Sequence, residues 1–263
     1  MTALVSRVLV AVVLLPVVLL LIWAGGWWLV GLAAVGAMIA LHEFYVMTRG
    51  LRPVLLAGYA GTLAALVGAA WGPEWALAGF FSTLPLVFLI KATAGAMPST
   101  ASIAVTVLGS AWIGLGLAHL VLVRELPEHG VLALYALVIA VFASDTAAFA
   151  AGRVIGRHKM APQTSPGKTW EGFAAGAIVA VLVPFFAFYE EDFLTIPESL
   201  AFGAAIAVVG PIGDLFESAV KRDAGVKDSG RLLLGHGGML DRLDAFLFTG
   251  VAVYYLLLAF GSA

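Results

Sequence analysis

Asp214 and Glu217 stand three residues apart in an otherwise apolar run, and Lys221 follows Glu217 by four, so a helix would place all three side chains on one face. Ionisable groups in so apolar a helix are costly and ordinarily line a cavity or a substrate path. Pro211, with glycines at 210 and 213, predicts a kink or a break just before the first acid, which would free backbone carbonyls toward a cavity. The plainer alternative is an ordinary proline kink followed by a Glu–Lys surface pair.

Downstream come Lys227-Asp228 and then Gly235-His236-Gly237-Gly238-Met239-Leu240-Asp241-Arg242-Leu243-Asp244. Glycine-rich backbone beside cations can wrap phosphate oxygens, and acids at i, i+3 offer the hard oxygen ligands that suit Mg2+. Read singly, the glycines make a turn and Asp241 a helix N-cap. Together the two features suit a metal–nucleotide complex. A second cluster holds Ser144-Asp145-Thr146, Arg153, Arg157, Lys159, and Ser165-Pro166-Gly167-Lys168-Thr169-Trp170-Glu171-Gly172. Gly167-Lys168-Thr169 resembles the end of a P-loop, but Pro162 occupies the place of its first glycine and no strand is expected before it. Lys168 at a helix start remains a sensible phosphate ligand.

The elements that position these residues are membrane helices. The 263 residues are 62% hydrophobic and 11% charged, a balance that excludes a soluble enzyme. A net charge of -2 gives no basic surface for a nucleic-acid partner, and the absence of cysteine excludes disulfides and thiolate chemistry. Thirty glycines suit close helix packing in a bilayer.

Windows of spanning character fall at 8–24, 27–48, 53–72, 74–90, 101–123, 131–151, 170–189, 200–219 and 243–262. The expected fold is therefore an all-α polytopic membrane protein of about nine transmembrane helices. The first window could instead be a signal peptide, but its 17-residue apolar run exceeds the usual signal core. With the N-terminus inside, 13 of the 14 basic residues collect on the cytoplasmic side and only Arg124 falls outside. Loops 152–169 and 220–242 are then cytoplasmic and the C-terminus lies outside. Residues 1–130 read as N-terminal scaffold helices, and 131–263 as the region that carries both charged clusters, its candidate site at the cytoplasmic ends of the C-terminal helices.

The motifs resemble those of the phosphatidate cytidylyltransferase (CDP-diacylglycerol synthase) family. The resemblance rests on Ser218-Ala219-Val220-Lys221-Arg222, Lys227-Asp228 and His236 to Asp244, with Asp145-Thr146, Ser165-Pro166, Lys168-Thr169 and Glu171-Gly172 upstream. It covers roughly the last 120 residues. Leu234 stands where the family usually has proline, and Ala245 where serine commonly follows the last aspartate. Neither departure removes a charged group.

The resemblance implies an inner-membrane enzyme that transfers CMP from CTP to phosphatidic acid, with Mg2+ and a possible second cation, and a homodimer. It implies Asp214 and Asp241 as metal ligands. Asp145, Lys168, Glu171, Glu217 and Asp244 become catalytic candidates, and Lys221, Arg222, Lys227, Asp228, His236, Gly237, Gly238 and Arg242 nucleotide or phosphate contacts. Two other readings are a related CTP-dependent enzyme acting on an isoprenoid lipid phosphate or alcohol, and a cation-coupled transporter.

Overall fold

The computed structural model describes residues 15–230 and 237–261. Eleven helices and one small hairpin make up these residues. In chain order they are α1 (Leu15–Ala24), α2 (Gly26–Met47), α3 (Leu55–Ala69), α4 (Pro73–Phe81), α5 (Thr83–Thr93), α6 (Thr100–Gly109), α7 (Gly116–Arg124), α8 (Gly130–Val154), β1 (Lys159–Ala161), β2 (Ser165–Thr169), α9 (Trp170–Phe188), α10 (Ile196–Asp223) and α11 (Leu240–Phe260). The protein is thus an all-α polytopic membrane protein.

The described parts of the apolar windows are largely helical. Among the described residues, seven helical stretches are long and apolar enough to cross a membrane: α2, Pro73–Thr93, Thr100–Arg124, α8, α9, α10 and α11. At 1.5 Å per residue α3 measures about 22 Å, short of the ~30 Å hydrocarbon layer. The described length of α1 is shorter still.

The N-terminal and C-terminal helices share one hydrophobic core, which runs from Ile22 to Leu257. α9 packs between α8 and α10, and α11 lies against α10, α7 and α2. Small residues set these distances. A Cβ at Gly176 would press on Ser144 and Ala148 of α8, and one at Gly213 on the backbone of Asp244, so α10 and α11 can approach closely beside their acids. A π-helical turn at Ser110–Leu115 joins α6 to α7. It carries Trp112, whose ring meets Phe216 at 4.8 Å and Phe44 at 5.8 Å, an aromatic layer between α2 and α10.

Arg124, the one basic residue expected outside, has a structural task. Its Nε donates to the Ile22 carbonyl at 2.7 Å and its Nη2 to that of Trp23 at 3.0 Å, closing the last turn of α1. Glu125 accepts from the Gly26 amide at 3.2 Å. Between those contacts Gly25 and Gly26 take φ of 61° and 49°, which lets α2 start one residue after α1 ends.

Two local expectations are corrected. α10 does not break at Pro211; it continues as one helix of 28 residues. Proline removes a single backbone donor, and packing against α9 and α11 holds the rest. The segment 152–169 is also more than a loop, because β1 and β2 pair antiparallel with Lys159 opposite Thr169 and Ala161 opposite Ser165.

Candidate active site

The C-terminal ends of α2, α8 and α10 and the N-terminal ends of α9 and α11 meet at one end of the bundle, and the charged residues gather there. The two charged clusters, whose loops the sequence reading puts on one side, meet there. Lys168, on β2, places Nζ 2.7 Å from Asp214 Oδ2 and donates to the Pro211 carbonyl at 3.3 Å. Arg222 donates from Nε to the Thr164 carbonyl at 3.3 Å, tying the end of α10 to the hairpin turn.

Three carboxylates form the centre. Oxygens of Asp214, Glu217 and Asp244 lie within 4.8 Å of one another. Glu217 is 1% exposed; its Oε2 pairs with Lys221 Nζ at 2.6 Å, while its Oε1 is buried with no hydrogen-bond partner among the described residues. A buried, unpartnered carboxylate oxygen beside two further carboxylates is an unfavourable arrangement unless a cation joins it. Hard oxygens at this spacing fit a divalent cation of the Mg2+ type. Asp145 is close enough to interact electrostatically with Asp214 and Lys168.

Asp241 adjoins that centre beside Glu217 but is held mainly by other donors. Its Oδ1 accepts from Lys221 Nζ at 2.5 Å, and its Oδ2 from Ser229 N at 3.2 Å, Ser229 Oγ at 2.9 Å and Gly238 N at 2.6 Å. Both oxygens of Asp241 are engaged, and the carboxylates that converge are Asp214, Glu217 and Asp244, whereas the sequence expectation joined Asp214 with Asp241. Lys221 bridges the two sets, since it contacts both Glu217 and Asp241.

Glu171 also has a different setting from the other acids. It accepts from the Arg157 amide at 3.1 Å, the His158 amide at 3.2 Å and His158 Nδ1 at 2.6 Å. These contacts buckle the base of the hairpin that presents Lys168. Lys227, Asp228 and Arg242 are exposed, and Gly237 adopts a left-handed φ of 77°. His236 lies outside the described residues. His42 and Glu43, toward the inner end of the second apolar window, read from sequence as either closing the site or pairing with groups at the interface, and neither is among the candidate site residues; Ser229 and His158 were missed as partners of the site.

A cavity of about 730 Å3 opens beside the centre, between α8, α9, α10 and the hairpin. Asp145, Asp214, Lys168, Arg153 and Lys159 give it a charged side, while Ala148, Phe149, Gly176, Ala177 and Ala207 give it an apolar one. Such a space can take a ligand that is phosphate at one end and hydrocarbon at the other.

Fold and site together define a polytopic membrane protein in which a carboxylate cluster and several cations meet at one end of the bundle. The sequence pattern of the cytidylyltransferase family matches residues 5–260, and the chain belongs to that family. It is 33% identical over 249 residues to a phosphatidate cytidylyltransferase of Staphylococcus haemolyticus, covering 92% of this chain and 94% of the relative. A phosphatidate cytidylyltransferase of Staphylococcus aureus is 34% identical over 256 residues, covering 92% and 94%. One from Mycobacterium bovis is 32% identical over 248 residues, covering 87% and 79%.

Proposed function

We propose that the protein transfers CMP from CTP to phosphatidic acid, giving CDP-diacylglycerol and pyrophosphate for phospholipid synthesis. The observation that carries this reading is the carboxylate triad flanked by Lys168 on one side and Lys221 on the other. In the reaction a phosphate oxygen of the lipid forms a bond to the α-phosphorus of CTP, the α–β bridging bond breaks, and pyrophosphate leaves with the electron pair. No protein nucleophile is required. Positioning and charge neutralisation dominate such a transfer.

Asp214, Glu217 and Asp244 would hold the divalent cation, with Asp145 nearby. Bound there, Mg2+ supplies charge neutralisation to the triphosphate and to the departing pyrophosphate. Lys168 exchanges its contact with Asp214 for phosphate oxygens, and Lys221 and Arg222 face the nucleotide from the end of α10. Lys227, Arg242 and the Gly237-Gly238 backbone complete the phosphate side. The lipid enters the cavity from between the helices, its phosphate toward Lys168 and its chains along the small residues of α8 and α9.

In the same reading α1 and α3 complete nine spans, the site end faces the cytoplasm of the inner membrane where CTP is available, and the C-terminus lies outside. The enzyme works as the homodimer that the family resemblance implies.

Purified protein given α-labelled CTP, Mg2+ and either phosphatidic acid or an isoprenoid phosphate tests the substrate directly. Label should pass into lipid only with phosphatidic acid. Labelling of the isoprenoid instead would move the protein to another lipid, and labelling of neither would remove the enzymatic reading.

A further inference from the structure

Glu43 sits at the site end of α2, 7% exposed, and its carboxylate is spent on residues almost two hundred positions away. Oε1 accepts from the Met239 amide at 3.0 Å and Oε2 from the Leu240 amide at 2.9 Å. An acid from α2 therefore caps the positive end of α11, where a negative charge is most favourable. Oε2 also meets Ser229 Oγ at 3.1 Å, and that hydroxyl lies 2.9 Å from Asp241 Oδ2. One hydroxyl proton serves two carboxylates, so Ser229 couples Glu43 to Asp241.

The backbone is fitted to this contact. A Cβ at Gly230 or at Gly238 would overlap the Glu43 carboxylate, and one at Gly238 would also strike Ser229 Oγ. Glycine at 238 is thus required by a neighbouring acid as well as by any phosphate. Beyond Asp241 the contacts continue to Lys221 and then to Glu217 of the triad.

We propose that Glu43 is a positioning residue for nucleotide binding: by fixing Ser229, Gly238 and the start of α11 it orients Asp241, and through Asp241 it sets where Lys221 presents its ammonium group to the triphosphate. The inference rests on the reading of Lys221 as a phosphate contact. It assigns a task in the reaction to a residue of the N-terminal helices, remote in sequence from every motif.

Glu43→Gln replaces one acceptor oxygen with an amide that faces a backbone N–H, and Ser229→Ala removes the hydroxyl shared by Glu43 and Asp241 while leaving the cap and the Ser229 N–H contact to Asp241. Hydrogen exchange of the full-length protein in detergent should show the Met239 and Leu240 amides opening about tenfold faster in Glu43→Gln, the scale of one lost hydrogen bond to a charged group. The KM for CTP should rise about tenfold in the same variant and by less in Ser229→Ala, with the KM for phosphatidic acid and the affinity for Mn2+ unchanged. Faster exchange with an unaltered KM for CTP in both variants would make Glu43 a structural cap only and overturn the proposal. Unaltered exchange would overturn it too. A wild-type protein that consumes no CTP would instead refute the functional reading, which the exchange measurement does not depend on.

Discussion

Lys168 Nζ lies 2.7 Å from Asp214 Oδ2, which joins a lysine on a cytidylyltransferase's small hairpin to an acid in the C-terminal half of its longest helix. The lysine is held there from behind, because Glu171 fastens the hairpin base through Arg157 and His158. Lys168→Ala should lower kcat/KM for CTP by about a hundredfold, the value of a charge-assisted contact to phosphate in a poorly hydrated site. Lys168→Arg should recover only part of this, since a planar guanidinium does not reproduce the compact ammonium that meets both Asp214 and the Pro211 carbonyl. Steady-state kinetics at matched protein level provide the check.

Glu171→Gln should act through the hairpin rather than on the metal. The amide keeps one acceptor but loses the charge that organises two backbone N–H groups and a histidine. The expected result is a rise in KM for CTP, faster proteolysis of the 157–169 segment and unchanged Mn2+ binding. Loss of Mn2+ binding would place Glu171 at the metal instead.

The metal assignment separates two aspartates that the sequence treats alike. Asp244→Asn and Asp214→Asn should weaken Mn2+ binding by about tenfold or more, because each removes a hard anionic ligand while preserving size. Asp241→Asn should leave Mn2+ binding near normal and raise the KM for CTP, since its partners are Lys221, Ser229 and Gly238. Mn2+ titration followed by electron paramagnetic resonance distinguishes them.

Topology can be read chemically because the chain has no cysteine. Single cysteines at Gln163 and Asp223, both exposed at the site end, should be labelled from the cytoplasmic face. A cysteine at Glu190, exposed between α9 and α10, should be labelled from the other face. Labelling of Gln163→Cys and Asp223→Cys from opposite faces would contradict the shared cytoplasmic site.

At the far end Arg124→Ala should cost about 1–3 kcal/mol, the range for hydrogen bonds to a charged group, without changing KM for either substrate. The two carbonyls of α1 it closes would be left without those donors. A thermal unfolding scan beside an activity measurement tests both halves of that expectation.

Much of the fold was legible because hydrophobic length alone marks membrane helices, and among the described residues seven helical stretches are long and apolar enough to cross a membrane. Charge depth also told which helix ends meet, since Asp145, Asp214 and Asp244 sit near the same end of α8, α10 and α11. What the sequence concealed depends on tertiary packing. Asp241 and Asp244, which their i, i+3 spacing made look like joint ligands, take different partners: Asp244 lies with Asp214 and Glu217, while Asp241 accepts from Ser229 and Gly238. Lys221 then claims Asp241. The hairpin escaped notice because strands of three and five residues give no usable alternation. Glu43 looked isolated because its partners lie near 229 and 239, a distance no local pattern spans.

Phosphorus NMR of the complete reaction tests the central claim most directly. With CTP, Mg2+ and phosphatidic acid in mixed micelles, attack at the α-phosphorus predicts that CDP-diacylglycerol and pyrophosphate appear in equal amounts as CTP disappears. The Asp244→Asn variant should form neither at a comparable rate. Appearance of CDP with a doubly phosphorylated lipid, or unchanged turnover in the variant, would contradict the account.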